Sequence, residues 1–520
     1  LDRLDLTVET TLDQPVQEGV TAALRGLANR ESLETLGLAE HRLLDRGDPA
    51  KVIYSLVLYE RAGGRNLLRV QADNFDGPFD INEGTKLDLG STAKLRTLVT
   101  YLEVIAELSD RLRNAPNEEL REKVAKGDPL TRWVAGRLLE RMAPSLPVLL
   151  EDAMQRRYSA NPHERFFTGG GLHTFVNFDK RDDGRVISVS EALQHSVNLV
   201  FIRLMRDIVS YHVAQIAEEG DPRNPDSPLR EEYLSRFADR EGREFLLTFY
   251  SRYRDLDRDQ ILETATKRAR GSLTARAVVF RSLRPGAGVG ELGTYLRAAG
   301  GKPISDDEVQ QLYDSYGVDR FALNDRGYIA KIHPLELWLA AYLSQAPRRP
   351  FAEVAKAGAD ARQAAYSWLF KPKLRKAQDT RIRTLLEEEA FRRIAQRWQR
   401  VGYPFDWLVP SYATSIGSSG DRPAALAELM GIIANQGLRL PTGRFERLRF
   451  AEDTPFETTM TLAESRGERV LRRDVALTLR RALIDTVEQG TGRRVSGVFH
   501  GPDGEVLAAG GKTGTGDHRY

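Results

Sequence analysis

The chain of 520 residues is 41% hydrophobic and 29% charged, with a formal net charge of +2. Its length predicts two or three packed units rather than one core. The near balance of 76 basic and 74 acidic residues gives no overall attraction to nucleic acid or to an anionic membrane. The absence of cysteine excludes disulfides, thiolate nucleophiles and cysteine-ligated metals.

The N-terminal residues mix strand and helix patterns. Residues 4–11 alternate as a strand does, and Asp13 is placed to begin an amphipathic helix. Residues 51–61 and 66–72 flank two glycines and predict a hairpin, whose first strand is apolar enough to be buried. Residues 95–112 carry apolar side chains at helical spacing and predict a long helix.

The next part of the chain, residues 115–165, is charged and helical in pattern. A glycine-rich loop at 166–185 follows, and Ser188 with Glu191 forms the pattern of a capping box at the start of a short helix. A second amphipathic helix is predicted to begin near Leu199.

Residues 211–405 are almost entirely helix-forming and show no fixed repeat, so we interpret them as a helical insertion. The arginine-rich stretch at 372–400 has two interpretations, a binding patch or a solvated helix face with interleaved acidic residues. We expect a role in the core for the five tryptophans, which are Trp133, Trp338, Trp368, Trp398 and Trp407.

The C-terminal residues 406–520 return to a mixed pattern. A glycine- and serine-rich loop leads into a helix that is predicted to end at Gly437, and a second helix is predicted to end at Gly490. Residues 505–509, "EVLAA", predict a strand that leads into the glycine-flanked run "GGKTGTG" at 510–516.

Ser91 lies three residues before Lys94 in "LGSTAKLRT", at the start of the predicted helix 95–112. This spacing puts both side chains on one helix face, although a serine there is also an ordinary helix cap. A lysine can deprotonate a hydroxyl only when its amine is neutral, which requires burial or a nearby cation. A Ser–Lys nucleophile therefore predicts a second positive residue close to Lys94 in the fold.

Two later motifs supply matching groups. Ser196 and Asn198, in "HSVN", lie between two predicted helices and offer a hydroxyl and an amide; Ser159 and Asn161 are a rival pair. In "GGKTGTG", Lys512 brings the second cation, and its flanking glycines allow a ligand backbone to approach closely. The eight histidines show no metal-ligand spacing.

The order Ser-x-x-Lys, Ser-x-Asn, Lys-Thr-Gly resembles the signature of penicillin-recognising serine enzymes. The flanks, among them "VSEALQHSVNLVFIRL" and "IDTVEQGTGRR", resemble the transpeptidase domain of class A, bifunctional penicillin-binding proteins. This resemblance implies an α+β fold with an antiparallel sheet flanked by helices and an all-helical lobe. The core would then consist of 1–114, 166–210 and 406–520, interrupted by helical insertions at 115–165 and 211–405, and we expect further core residues after Tyr520.

The resemblance also implies roles in catalysis. Ser91 would attack the D-Ala–D-Ala carbonyl of a peptidoglycan stem peptide, with Lys94 as the base under the influence of Lys512. Ser196 would relay a proton to the leaving group. The backbone N–H groups of Ser91 and Thr515 would form the oxyanion hole.

Substrate binding would fall to the remaining motif residues. Asn198 would bond the substrate amide, and Lys512, Thr513 and Thr515, with Gly514 between them, would hold the terminal carboxylate of the peptide or of a β-lactam. The implied function is a D,D-transpeptidase, and the alternatives are a catalytically silent penicillin-binding scaffold or sensor, or a carboxypeptidase or β-lactamase.

The same resemblance implies the surroundings of the protein. Its partners would be peptidoglycan stem peptides, β-lactams as inhibitors, and cell-wall synthesis proteins that bind the helical insertion, with no nucleic acid, metal or cofactor. It would work in the cell envelope, on the periplasmic side of the inner membrane, with an anchor and a glycosyltransferase upstream of Leu1.

Overall fold

The computed structural model describes residues 5–39, 47–141, 144–269, 271–298, 303–463 and 465–516. The chain forms two compact units. The first, which we call the core unit, contains Leu1–Ile216 and Glu387–Tyr520; the second, the helical unit, contains Ala217–Leu386. Every candidate site residue of the sequence analysis belongs to the core unit.

All strands found among the described residues belong to the core unit. They are β1 Leu6–Thr10, β2 Ser55–Ala62, β3 Arg65–Asp73, β4 Arg157–Ser159, β5 Phe166–Thr168, β6 Gly171–His173, β7 Val186–Ser188, β8 Leu438–Arg439, β9 Thr442–Gly443, β10 Phe445–Phe450, β11 Thr458–Thr461 and β12 Glu468–Arg469. The predicted α+β class is confirmed.

The strands divide among small sheets instead of forming the one antiparallel sheet that we expected. Two sheets have three strands, in the orders β1-β10-β11 and β2-β3-β9, and β4-β7, β5-β6 and β8-β12 form pairs. The neighbours are antiparallel, except that β3 and β9 pair in parallel. The division arises because β1 pairs with the distant β10 and not with the hairpin.

The hairpin is formed by β2 and β3 around Gly63 and Gly64, which both have positive φ, as a type I′ turn requires. The prediction that its first strand is buried is wrong, since Leu56 and Leu58 are 37% and 45% exposed. The physical reason is position in the sheet: β2 is an edge strand, whereas the central β3 alternates buried and half-buried residues.

The helices follow in chain order. Those of the first 219 residues are α1 Gln14–Gly26, α2 Arg30–Thr35, α3 Ala93–Leu112, α4 Asn117–Lys126, α5 Pro129–Glu140, α6 Leu146–Met154, α7 Val189–Gln194 and α8 Asn198–Glu219. The helical unit adds α9 Leu229–Tyr253, α10 Arg258–Arg268, α11 Leu273–Leu283, α12 Val289–Ala298, α13 Asp306–Ser315, α14 Leu323–Ala330, α15 Pro334–Gln345, α16 Phe351–Ala357 and α17 Ala359–Ala365. The last are α18 Arg375–Arg400, α19 Pro423–Ala434 and α20 Arg473–Glu488.

Helix α3 is the centre of the core unit and fixes the position of the site. Its residues from Ala93 to Ala106 are all buried, among α5, α6 and α20. Two buried hydrogen bonds fix it further: the Tyr101 hydroxyl donates to the Ala153 carbonyl at 3.1 Å, and the Trp398 indole donates to the Thr100 hydroxyl at 3.0 Å. Such packing holds the first turn of α3 in one place.

The helical unit is held by helix packing and buried ion pairs. Helix α9 packs against α15 and α17, and α10 and α11 pack against α15. Glu336 on α15 is buried and accepts hydrogen bonds from Arg252 and from the Tyr253 hydroxyl. Removing one of these partners would leave a buried charge without compensation and would lower the stability of the fold.

The expectation that all tryptophans lie in the core is wrong for two of them. Trp398 is buried, but Trp368 is 37% exposed and Trp407 is 59% exposed. Composition alone does not distinguish these environments, because tryptophan is amphipathic and occurs at surfaces as well as in cores.

Candidate active site

Ser91 lies in a 3-10 turn, Gly90–Thr92, that leads directly into α3. The N-cap residue of α3 is Thr92, and no side chain caps the helix, so Ser91 is not there to cap it. Within the described part of the chain, the half-buried Ser91 hydroxyl makes no hydrogen bond. It therefore carries no structural bond that would have to break before it reacts.

Lys94 is the second residue of α3 and is fully buried. Three acceptors lie within hydrogen-bond distance of its Nζ: Ser196 Oγ at 3.1 Å, Asn198 Oδ1 at 2.8 Å and the Ser196 carbonyl oxygen. A neutral amine has two N–H groups and donates to two of them at a time. The amine also lies 5.7 Å from the centre of the Phe201 ring. The structure thus joins the first and second motifs through this one amine.

The environment favours a neutral Lys94. Burial, and then the positive charge of Lys512, hold the pKa of Lys94 well below its usual value. Burial also lowers the pKa of Lys512, to about 8. A neutral amine one helical turn after Ser91 can accept the proton of that hydroxyl, and the second cation that this chemistry requires is Lys512.

The Ser196 hydroxyl accepts hydrogen bonds from both lysines. Lys512 Nζ donates to Ser196 Oγ at 3.0 Å, so this hydroxyl lies between the two amines. Ser196 has a φ of 58°, in the left-handed region that a non-glycine residue rarely adopts. The turn between α7 and α8 holds it there, and strained backbone of this kind is found at functional sites.

Asn198 begins α8, and both ends of its amide are bound. Oδ1 accepts from Lys94, and Nδ2 donates to the Val176 carbonyl at 3.0 Å, so the loop before α7 fixes its orientation. The rival pair does not join this cluster: Ser159 Oγ accepts from the Asn161 backbone N–H in a local turn. The structure thus places Ser196 and Asn198, and not Ser159 and Asn161, next to Lys94.

The segment that carries Lys512 is not the strand that we expected. Just before this segment, His500 and Val506 form an isolated antiparallel bridge. Residues 507–516 pair with no strand among the described residues. A single backbone bond, from the Gly511 N–H to the Leu483 carbonyl at 3.1 Å, links it to α20. The expectation that Thr513 and Thr515 point the same way rested on a strand and loses its basis.

Close contacts with the Ser91 turn hold this segment instead. A Cβ atom on Gly90 would lie 2.0 Å from the Thr515 carbonyl oxygen, and one on Gly514 would lie 2.3 Å from the Leu89 carbonyl oxygen. Only glycine fits such distances, so the glycines bring the third motif against the first. Thr513, Gly514 and Thr515 are exposed.

Thr491 is a site residue that the sequence analysis missed. Its hydroxyl accepts a hydrogen bond from the Thr513 hydroxyl at 2.7 Å, and its backbone N–H donates to the Gln194 carbonyl at 3.0 Å. Thr491 therefore ties the third motif to the turn that carries Ser196. The available signal was its position between Gly490 and Gly492, which we took only as the end of a helix.

The described residues contain no group of three or more metal-ligating side chains, and none of their helices is long and apolar enough to cross a membrane. The motif residues supply two amines, from Lys94 and Lys512, the hydroxyls of Ser91 and Ser196, and the Asn198 amide. Such a set can move protons between a serine nucleophile and a leaving group.

No protein-family model and no curated protein matches this chain. Among solved structures, it is similar to the penicillin-binding protein PonA1 from Mycobacterium tuberculosis, with a TM-score of 0.36 and 11% identity over 94% of this chain and 64% of that one. It is also similar to the D,D-transpeptidase domain of a peptidoglycan glycosyltransferase from Eggerthella lenta, with a TM-score of 0.36 and 13% identity over 98% and 72%. At these TM-scores the similarity carries no structural argument.

Proposed function

We propose that the core unit is a serine D,D-transpeptidase that cross-links peptidoglycan stem peptides and is acylated by β-lactams. One observation carries this proposal. The amines of Lys94 and Lys512, which are far apart in the chain, lie at 3.1 and 3.0 Å from the same Ser196 hydroxyl. Lys94 itself follows Ser91 by one helical turn. The order of the three motifs in the sequence supports the same function.

In the acylation step, neutral Lys94 takes the proton of Ser91, whose Oγ bonds to the carbonyl carbon of the penultimate D-alanine. The N–H groups of Ser91 and Thr515 stabilise the oxyanion. When the tetrahedral intermediate collapses, the C–N bond breaks, and Ser196 passes a proton from Lys94 to the leaving D-alanine amine. An amine of a second stem peptide then reverses these steps and forms the cross-link.

The remaining groups bind the donor peptide. Because its pKa of about 8 lies above neutral pH, Lys512 is mostly charged there and attracts the terminal carboxylate. Asn198 would bond the substrate amide, and Thr513 and Thr515 would bond the carboxylate, with Gly514 leaving space for the peptide backbone. The Thr513 hydroxyl donates to Thr491 and retains its lone pairs, so it must turn to donate to a carboxylate.

The direct test is labelling with a fluorescent penicillin. We expect the full chain to be labelled and Ser91→Ala to remain unlabelled, with Ser159→Ala as a matched control that is labelled like the wild type. Label that survives Ser91→Ala would contradict the assignment of the nucleophile. Labelling without turnover of a stem-peptide substrate would favour the silent scaffold or sensor, and rapid nitrocefin turnover would favour a β-lactamase. No labelling of the folded wild type would contradict the proposal.

A transpeptidase of this kind acts where stem peptides are. We therefore also propose a location in the cell envelope, on the periplasmic side of the inner membrane. The chain spans 64% of the length of PonA1. An upstream glycosyltransferase, an anchor and cell-wall synthesis partners of the helical unit also belong to this proposal, which for these features rests on the sequence resemblance alone.

A further inference from the structure

Four cations lie together at the end of the helical unit, where a 3-10 turn, Pro372–Leu374, leads into α18. They are Lys371, Lys373, Arg375 and Lys376, and we call them the basic patch. All four are exposed, and within the described part of the chain none has an ion pair or a side-chain hydrogen bond. The patch is therefore a dense positive charge that the fold does not neutralise.

The rest of the arginine-rich stretch is different. Arg397 forms a two-bond ion pair with Glu107 at 2.7 Å, and Arg400 pairs with Glu103. The structure thus separates the two interpretations of residues 372–400. The C-terminal half of α18 uses its arginines for packing, whereas the N-terminal end leaves its cations available.

Two further features show that folding does not account for the basic patch. The sequence has no acidic residue between Asp360 and Asp379, and Asp379 is paired with Arg230 at 2.6 Å. Moreover, Arg375 and Lys376 are the first residues of α18, whose first turn has no acidic residue. The positive end of the helix dipole disfavours cations there, so this arrangement costs stability instead of adding it.

An exposed aromatic residue adjoins the basic patch. Trp368, 37% exposed, lies in the 3-10 helix Ser367–Phe370, three residues before Lys371, and its ring is 5.7 Å from the Arg381 guanidinium. Tryptophan beside lysine and arginine is the composition of surfaces that lie at the headgroup level of a bilayer.

We propose that the basic patch and Trp368 bind the surface of an anionic phospholipid bilayer. Three of the four cations are lysines, whose flexible point charges suit mobile lipid phosphates, whereas specific nucleic-acid contacts favour the rigid fork of arginine. The indole would lie among the headgroups beside them. This surface belongs to the helical unit and does not rest on the proposed acyl transfer.

The test is flotation of the full chain with vesicles of phosphatidylglycerol and phosphatidylcholine in equal parts, and with vesicles of phosphatidylcholine alone. We expect binding only to the anionic vesicles. The variant K371Q/K373Q/R375Q/K376Q should lose about fivefold in partitioning for each cation removed. Trp368→Ala should weaken binding and Trp368→Phe should largely retain it, because a ring still enters the headgroup region.

The matched control is R320Q/K331Q/R348Q/K356Q, which removes the same charge from exposed positions scattered over the helical unit. It should bind anionic vesicles almost as the wild type does. Equal loss in both variants would show that only net charge matters and would overturn the proposal. So would binding of a single-stranded oligonucleotide without binding of vesicles, or wild-type vesicle binding by the basic-patch variant.

Discussion

Two groups of lysines, Lys94 with Lys512 and the lysines of the basic patch, show how burial changes the properties of an amine. Each group includes the second residue of a long helix. Lys94 is the second residue of α3 and is fully buried, whereas Lys376 is the second residue of α18 and is exposed. The helix dipole disfavours positive charge at both places. Burial adds to this effect at Lys94 and holds its pKa well below the usual value, whereas the side chain of Lys376 is exposed to solvent.

The neighbours of the two groups reinforce this difference. Lys94 has hydrogen-bond acceptors on both Ser196 and Asn198 of the second motif, and a second lysine, Lys512, shares its Ser196 partner. The lysines of the basic patch have no such partners within the described residues. A cation at a helix N-terminus therefore suggests a reactive amine when it is buried with acceptors, and a binding surface when it is exposed without them.

The largest effect should come from replacing the buried lysine by a cation that cannot lose its proton. We expect Lys94→Arg to slow acylation by penicillin about 10³-fold, since arginine stays protonated and cannot act as a base. The exposed counterpart, Lys373→Arg, should leave both acylation and vesicle binding unchanged. Acylation of a folded Lys94→Arg protein at the wild-type rate, measured by stopped-flow labelling, would remove the distinction between the two groups.

The next effect tests whether glycine brings the half-buried Lys512 into place. In Gly514→Ala the new Cβ would meet the Leu89 carbonyl oxygen at 2.3 Å, so the segment that carries Lys512 must move away from the Ser91 turn. A displacement of this size should lower the acylation rate by about 10²-fold. Gly184→Ala, where the added Cβ has open space, is the control and should react normally; an unaffected Gly514→Ala would refute the argument.

The pH dependence of stability should reveal the lowered pKa of the buried lysines. Lys512 has a pKa of about 8 in the fold and an ordinary value of 10.5, so between these pH values the unfolded chain holds a proton that the folded chain has lost. Stability then rises with pH through this window. Lys94 acts in the same direction from a lower pH.

Urea unfolding of the wild type and of Lys512→Met measures this contribution. Relative to the variant, the wild type should gain about 1–3 kcal/mol between pH 8 and 10.5. A difference in unfolding free energy that stays flat, or that falls with rising pH, would show that folding does not lower the pKa of Lys512.

The smallest effect concerns the bond that Thr491 accepts from Thr513. Thr491→Val keeps the shape and the backbone bond to Gln194 but removes the hydroxyl, which should slow acylation about fivefold, the equivalent of ~1 kcal/mol. Thr491→Ser should retain the wild-type rate. If Val and Ser behave alike in the labelling kinetics, the hydroxyl does not position the third motif.

The sequence predicts the site better than it predicts the sheets around it. Proton chemistry required a cation near Lys94, and the structure places Lys512 there, although 418 positions separate them (512 − 94). The spacing of Ser91 and Lys94 and the turn at Ser196 are local features, so a linear pattern contains them. The function of each residue nevertheless remains a proposal.

The features that the sequence did not predict depend on residues that are distant in the chain. The apolar run in β2 has the same pattern on an edge strand as in a central one. It is an edge strand because, among the described residues, β2 pairs only with β3. Residues 505–509 have strand propensity, but no neighbouring strand extends their single bridge. Thr491 was missed because its contribution to the site is a hydrogen bond with Thr513, which lies 22 positions further along the chain.

The most direct test of the central claim is mass spectrometry of the penicillin-treated chain after digestion with trypsin. Cleavage after Lys86 and Lys94 gives a peptide of residues 87–94 that contains Ser91. We expect a penicilloyl adduct on Ser91 in this peptide and none in Ser91→Ala. An adduct on another residue, or no adduct on the folded wild-type chain, would contradict the account.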